Sequence, residues 1–344
     1  MGTNMTTRNE APLALVIGAT GGVGGAVTDR LLAEGWRVRA LHRDPERARQ
    51  TAARQSAARP GLESPLEWVR GDAMIEADVV AAAKGARLVM YGANPPAYRN
   101  WAGLQLPMIK AAIAAAKAVD ARLIFPGTVY NYGPDAFPKL TEASPQAPVT
   151  RKGAIRVQME DALKAAADDG LRVLIVRCGD FFGPKGGGSS WLSQGLVKPG
   201  KPLSAVTYPG ALDVPHSWAY LPDVAETMVR LALDDANLGA FEAFHMRGHA
   251  LTGAEMIAAF NRVAGRKLTV NRLPWFAIRA VAPLNETFRE MLEMRYLWEE
   301  AVLMDNARLT ARLGAEPHTP IDAALRAALI GLGVLPQESA RLAA

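Results

Sequence analysis

Three glycines constrain this chain more than any other feature. Leu13-Ala-Leu-Val-Ile17 is a short apolar run that reads as a buried strand. It leads directly into Gly18-Ala-Thr20-Gly21-Gly22-Val23-Gly24, after which Val27, Leu31 and Leu32 recur at helical spacing until Gly35. A strand that stops on glycine and reopens as a helix within a few residues needs a tight turn and a close helix–strand approach. The G-x-x-G-x-x-G spacing supplies both, and it leaves the helix N-terminal N–H groups facing outward as an anion site. Gly18, Thr20, Gly21, Gly22, Val23 and Gly24 are therefore candidate contacts for the phosphates of a dinucleotide.

The same alternation continues. Strands are predicted at Arg37–Leu41, Leu66–Arg70, Arg87–Tyr91, Arg122–Phe125 and Leu171–Val176. Helices are predicted at Asp44–Arg59, Ala77–Ala83, Leu104–Ala118 and Ala154–Asp168. Alternating strands and helices imply right-handed parallel units, hence an α/β, doubly wound parallel sheet. After Cys178 the rhythm loosens into a Gly- and Pro-rich stretch from Gly183 to Gly210. A helix at Pro222–Asp235 and a strand at Phe241–Met246 are placed to return to the sheet, and a mostly helical remainder follows. This divides the chain into a nucleotide-binding part, residues 11–177 with 222–247, and a smaller substrate part, residues 178–221 with 248–335. Residues 1–10 are expected to be a disordered polar tail. Asn285–Met304 is read as one helix with Phe288, Met291, Leu292 and Tyr296 as a packing face, with a substrate-pocket wall as the alternative.

The end of the second strand discriminates between cofactors. An acidic side chain there would bind a ribose 2′-OH and repel a 2′-phosphate. This strand ends in Leu41-His-Arg43, with Arg47 one turn on, and a guanidinium matches a phosphate in geometry and charge. NADP is therefore expected over NAD, with Asp44 serving as the cap of the following helix. The net charge of +5, from 39 basic and 34 acidic residues, is spread out rather than striped, so no nucleic-acid partner is expected. The single cysteine, Cys178, excludes an intrachain disulfide and fits the cytoplasm. No signal-peptide pattern and no membrane span is expected. His245-Met-Arg-Gly-His249 has a metal-ligand count, but the glycine and the preceding strand argue against a metal site.

These residues resemble the extended short-chain dehydrogenase/reductase superfamily, in its NAD-dependent epimerase/dehydratase branch, from about Leu13 to Gly333. The glycine turn matches. Gly71-Asp72-Ala73 resembles the acidic position at adenine, and Gly92-Ala93 the passage beside the ribose. Thr128, four residues before Tyr132-Gly133, matches the catalytic Ser/Thr. Arg177-Cys-Gly-Asp-Phe-Phe-Gly-Pro184 resembles the family's R-P-x-x-x-Y-G-P stretch. The resemblance implies a Rossmann domain, a smaller substrate domain, a small-molecule substrate and a homodimer.

One departure bears on chemistry. Where the family carries Y-x-x-x-K, this chain has Lys152-Gly-Ala-Ile-Arg156. Arg156 can hold a nicotinamide ribose but stays protonated and cannot shuttle a proton. Lys152 could donate one if burial lowers its pKa, and Tyr98, Tyr130 and Tyr132 are substitute phenols. The expected catalytic set is Thr128, Lys152 and Arg156, in an NADP(H)-dependent oxidoreductase acting on a small carbonyl or alcohol. The alternatives are a non-catalytic NADP-binding sensor and a nucleotide-sugar epimerase or dehydratase.

Overall fold

The computed structural model describes residues 11–55, 65–94, 100–185 and 190–337. The polar tail 1–10, the end of the Arg-rich helix beyond Gln55, and Tyr98 lie outside these. The chain runs β1 (Leu13–Ile17), α1 (Gly22–Ala33), β2 (Arg37–His42), α2 (Pro45–Gln55), β3 (Leu66–Arg70), α3 (Glu76–Ala83), β4 (Ala86–Tyr91), α4 (Trp101–Ala118) and β5 (Arg122–Thr128). It continues through β6 (Lys139–Leu140), α5 (Arg151–Asp168), β7 (Val173–Cys178), β8 (Asp180–Phe182), β9 (Ala205–Tyr208), β10 (Pro215–Tyr220), α6 (Leu221–Leu233) and β11 (Phe241–His245). It closes with β12 (His249–Thr252), α7 (Gly253–Ala264), β13 (Thr269–Arg272), α8 (Trp275–Val281), α9 (Glu286–Glu293), β14 (Leu303–Met304), α10 (Ala307–Leu313) and α11 (Ile321–Gly331).

Seven strands form one parallel sheet in the order β11-β7-β5-β4-β1-β2-β3. The order reverses between β1 and β4, where an open α/β sheet leaves a crevice at its carboxyl edge. The doubly wound Rossmann fold is thus observed, and Phe241–His245 does return to the sheet edge beside β7. β1 shows why both sheet faces must be covered. Leu13, Leu15 and Ile17 pack with Val79, Ile109 and Leu163 of α3, α4 and α5. Ala14 and Val16 point the other way, onto Val27 and Leu31 of α1 and Met228 of α6. An apolar run without polar alternation is what a strand buried on two faces requires.

The later segments build a second core. The three-stranded sheet β12-β10-β8 packs Phe182 and Trp218 against Phe260 of α7 and Leu325 and Leu329 of α11. The expected helix over Asn285–Met304 is not continuous. It breaks into α9, a 3-10 turn at Arg295–Trp298 and the strand β14. Leu303 and Met304 pair with Lys139 and Leu140, while Leu297 and Met294 bury against Val129 and Tyr132. A continuous helix could not satisfy both demands. Helix starts also move earlier than the apolar periodicity suggests. The Thr150 hydroxyl accepts from Gly153 N–H and starts α5 at Arg151. No helix among the described residues is long and apolar enough to cross a membrane.

His245, at the end of β11, makes the fold acid-sensitive. Burial and the nearby Arg177 push its pKa from the usual 6.5 down to about 3. Above 6.5 both folded and unfolded forms carry the neutral ring, so this group has no effect there. As pH falls from 6.5 toward 3, the unfolded chain takes up a proton that the folded form refuses, and stability is lost. Urea unfolding at pH 7 and pH 4 is expected to show the decline, and His245→Gln to flatten it. Equal slopes in both proteins would contradict this assignment.

Candidate active site

The glycine turn is a backbone interlock. Gly18 sits at φ 90°, and a Cβ on it would lie 2.6 Å from the Gly92 carbonyl carbon and 2.7 Å from Ala93 N. A Cβ on Gly24 would strike the Gly18 carbonyl oxygen, and one on Gly92 would come 2.9 Å from Gly24 Cα. The ends of β1 and β4 and the first turn of α1 therefore meet backbone to backbone. Gly21 N–H donates to Gly18 O at 2.9 Å and closes the turn. The α1 N-terminus has Gly21 as its cap, no side-chain cap bond and no acidic residue in its first turn. Its leading N–H groups are left for a ligand.

A cavity of about 510 Å³ opens over this turn and runs the width of the crevice. Thr20, Gly22 and Val23 line it at the glycine turn, and Gly92 and Ala93 flank them. Arg43, Asp72 and Ala73 line one end; Thr128, Tyr130, Arg156 and Asp180 line the other. This cradle suits a dinucleotide: its glycines let three backbone segments meet with no side chain between them, and the leading N–H groups of α1 stand beside it without a side-chain cap.

At the first end, the Asp44 carboxylate is used as a cap, accepting from Arg47 N–H at 3.2 Å. The exposed Arg43 lines the cavity, while Asp44 and Arg47 do not. Asp72 is partly spent on its own loop, accepting from Met74 N–H at 2.9 Å.

At the other end, Thr128 ends β5 with its hydroxyl donating to Asn131 Oδ1 at 3.4 Å. Arg156 rises from α5, donates from Nη2 to the Pro126 carbonyl at 2.9 Å and lies 4.9 Å over the Phe125 ring. Its Nε is buried without a hydrogen-bond partner. Burial lowers the guanidinium pKa, opposed chiefly by Glu160, yet an arginine remains charged. Glu160, one turn further on, grips Arg177 of β7 at 2.9 and 2.6 Å.

Lys152 takes a different path from the one its spacing suggests. It shares α5 with Arg156, but its Nζ lies 3.0 Å from Glu290 of α9 and 5.5 Å from the Trp101 ring centroid. It lines a smaller adjoining pocket with Tyr130, Glu290, Met291 and Met294, not the main cavity. Met291 thus lines a pocket, the alternative reading of its face. Burial lowers the Lys152 pKa, with Glu290 pulling the other way.

Asp180 and His216 complete this end, and sequence reasoning did not join them. Asp180 lies just past the end of β7, where a carboxylate can be read from sequence as facing the crevice, whereas His216 stands in no recognisable pattern. Pairing of β10 with β8 brings them together, with His216 Nε2 2.7 Å from Asp180 Oδ2. Tyr132, a second substitute phenol, falls elsewhere. Tyr132 is buried, with its hydroxyl 3.4 Å from His245 Nε2. His249 faces His318 at 4.4 Å between ring centroids, not His245. Among the described residues no cluster of three metal-ligating side chains occurs. Cys178 is fully buried, and desolvation drives its thiol pKa up.

Comparison with known proteins decides the family. Residues 14–245 match the model of the NAD dependent epimerase/dehydratase family. The chain belongs to that family. The expectation of a family of NAD(P)-dependent enzymes is thereby met. A dTDP-6-deoxy-L-talose 4-dehydrogenase (NAD(P)(+)) of Kitasatospora kifunensis is 32% identical over 203 residues, 56% of this chain and 60% of that protein. The match thus spans less than two thirds of that relative. Among solved structures, UDP-glucuronic acid 4-epimerase of Bacillus cereus, in complex with UDP-glucuronic acid and NAD, superposes with a TM-score of 0.70 at 15% identity, over 93% of this chain and 98% of its own. UDP-glucose 4-epimerase of Bifidobacterium longum, with NAD+ and UDP, gives 0.69 at 17% identity, over 94% and 97%. Identities this low establish the shared fold.

Proposed function

We propose that this member of the epimerase/dehydratase family is an NADP(H)-dependent oxidoreductase that interconverts a carbonyl and an alcohol. The single observation that carries this reading is the continuous cavity joining the glycine interlock and Arg43 at one end to Thr128 and Arg156 at the other. The α1 N–H groups and the glycine cradle would hold the pyrophosphate, and Arg43 a 2′-phosphate. Bound there, the nicotinamide group supplies or accepts a hydride at the substrate carbon. Arg156 would hold the nicotinamide ribose through its free donor. Thr128 would bind the substrate oxygen. Lys152, fixed by Glu290, would shape the adjoining pocket and present positive charge to the substrate's far side.

The relative from Kitasatospora acts, by its name, on a deoxyhexose carried by dTDP, which supports including nucleotide-linked keto sugars in the substrate search. Reading the chain as an epimerase or dehydratase asks for a firm acid/base pair, and Lys152 and Arg156 occupy those two positions. Incubation with 4-deuterated NADPH and a carbonyl panel that includes a dTDP-4-keto-6-deoxyhexose is expected to give a deuterated alcohol. NADPH binding with no transfer to any panel member would favour the sensor over the enzyme. Arg43→Ala is expected to weaken NADPH binding about 10- to 100-fold, the equivalent of a charge-assisted contact of about 1.5–3 kcal/mol, and to leave NADH affinity within about twofold. Equal weakening for both cofactors, measured by calorimetry, would remove the 2′-phosphate role.

A further inference from the structure

The proposed oxidoreductase needs a group that gives a proton to the substrate oxygen. Arg156 cannot release one, and Lys152 is ion-paired in the adjoining pocket. Tyr130 is positioned otherwise. It lines both the main cavity and the adjoining pocket, two residues after Thr128. Its hydroxyl donates to Asp180 Oδ1 at 3.5 Å. The other oxygen of the same carboxylate, Oδ2, meets His216 Nε2 at 2.7 Å. The imidazole is fixed in turn. Its Nδ1 lies 3.2 Å from the Leu297 carbonyl, which can only accept, so Nδ1 carries a hydrogen. The ring stacks on Trp298 at 3.9 Å between centroids and 4° between planes.

This geometry has a stoichiometric consequence. With Nδ1 protonated, a 2.7 Å contact between Nε2 and a carboxylate oxygen needs one hydrogen between them. The pair therefore holds one proton, as imidazolium with carboxylate or as neutral imidazole with carboxylic acid. We propose that Tyr130 is the acid/base group of this enzyme and that the buried Asp180–His216 pair is its proton store. The inference rests on the oxidoreductase reading. In the reducing direction hydride reaches the carbonyl carbon, the C=O π bond breaks, and the new oxygen lone pair takes the Tyr130 proton. Tyr130 is refilled through Asp180, leaving carboxylate and neutral imidazole, and the pair recovers one proton from water after product leaves. The oxidising direction runs the same transfers backwards. Catalytic hydrogen bonds are often long in the absence of substrate and tighten in the substrate complex.

Other charged and titratable groups face the relay. Arg156 lies close enough to Tyr130 for their charges to interact, and it favours the phenolate formed on proton release. Lys152 shares the adjoining pocket with Tyr130. The phenols of Tyr208 and Tyr296 sense the Asp180 charge, but burial drives both pKa values up and keeps them neutral.

The relay is testable on the full chain without turnover. Protein carrying 15N-histidine and 13Cζ-tyrosine is titrated by NMR, with signals assigned from His216→Gln and Tyr130→Phe. The relay predicts that Tyr130 and His216 titrate as a coupled pair. His216→Gln moves the Tyr130 midpoint by about one pH unit or more, and Asp180→Asn lowers the His216 midpoint by a similar amount. A role in packing alone moves neither midpoint, and that result would overturn the proposal in any variant that retains the native fold by circular dichroism. With a carbonyl that the native protein reduces, Tyr130→Phe is expected to lower kcat at least about 100-fold, with KM changed less than about threefold. Undiminished kcat would equally overturn it. If the native protein reduces no carbonyl, the oxidoreductase reading fails, while the coupled titration still decides whether the proton store exists.

Discussion

Gly18→Val is expected to abolish dinucleotide binding, with affinity reduced at least about 100-fold, or about 2.7 kcal/mol. Two penalties act together. Gly18 occupies φ 90°, where a β-branched residue is strained by about 1–3 kcal/mol. Its new Cβ would lie 2.6 Å from the Gly92 backbone, so either β4 or the turn must retreat. Gly92 in turn abuts Gly24, and the displacement passes into the first turn of α1, whose N–H groups are the proposed phosphate donors. Gly85→Ala provides the control. Gly85 has φ 77° but nothing within 4 Å of a Cβ, so it suffers backbone strain without collision. Calorimetry should find its NADPH affinity unchanged despite a lower melting temperature. Similar affinity losses in both variants would show that strain, not the interlock, governs binding.

Glu160→Gln is expected to cost about 3–5 kcal/mol of folding stability. Burial opposes the charge on Glu160, but the paired Arg177 guanidinium, its hydrogen bonds and that of Gln146 outweigh it and hold the carboxyl pKa below its usual value. Asn131 also donates to it, at 2.9 Å. Neutralising this carboxylate strands Arg177, 2% exposed, without its counter-charge. The effect reaches the site, because Arg177 Nη1 also holds the Thr128 carbonyl at 2.7 Å. The same linkage gives a sign for pH. A depressed carboxyl pKa stabilises the fold above the unfolded carboxyl's pKa, and that stability is lost as pH falls through the folded value. Urea denaturation measures both effects. A change below about 1 kcal/mol in Glu160→Gln would mean that the network carries little of the fold's stability.

The parts of this protein dictated by local chemistry were legible in its sequence. Buried parallel strands appear as apolar runs, and the turn at Gly18 appears as glycine because its backbone geometry admits little else. Even Asp44 declared its role, since a short acidic side chain just before Pro45 suits a helix start. Long side chains were less legible. Helical spacing places Lys152 and Arg156 on one face, but it does not say where their termini go. One reaches Glu290 of α9, the other the Pro126 carbonyl of β5. The Asp180–His216 pair was invisible for a different reason. It depends on the register of β8 against β10, with Trp218 opposite Asp180, and on Trp298 arriving from a helix that breaks early. No local pattern encodes a contact between three segments so far apart in the chain.

The proposed NADP site rests on the glycine interlock and Arg43. Calorimetric titration of the native chain with NADPH and then NADH tests this most directly. Saturable binding of NADPH, weaker binding of NADH, and loss of the difference in Arg43→Ala are expected. Binding of neither cofactor by folded protein would contradict it.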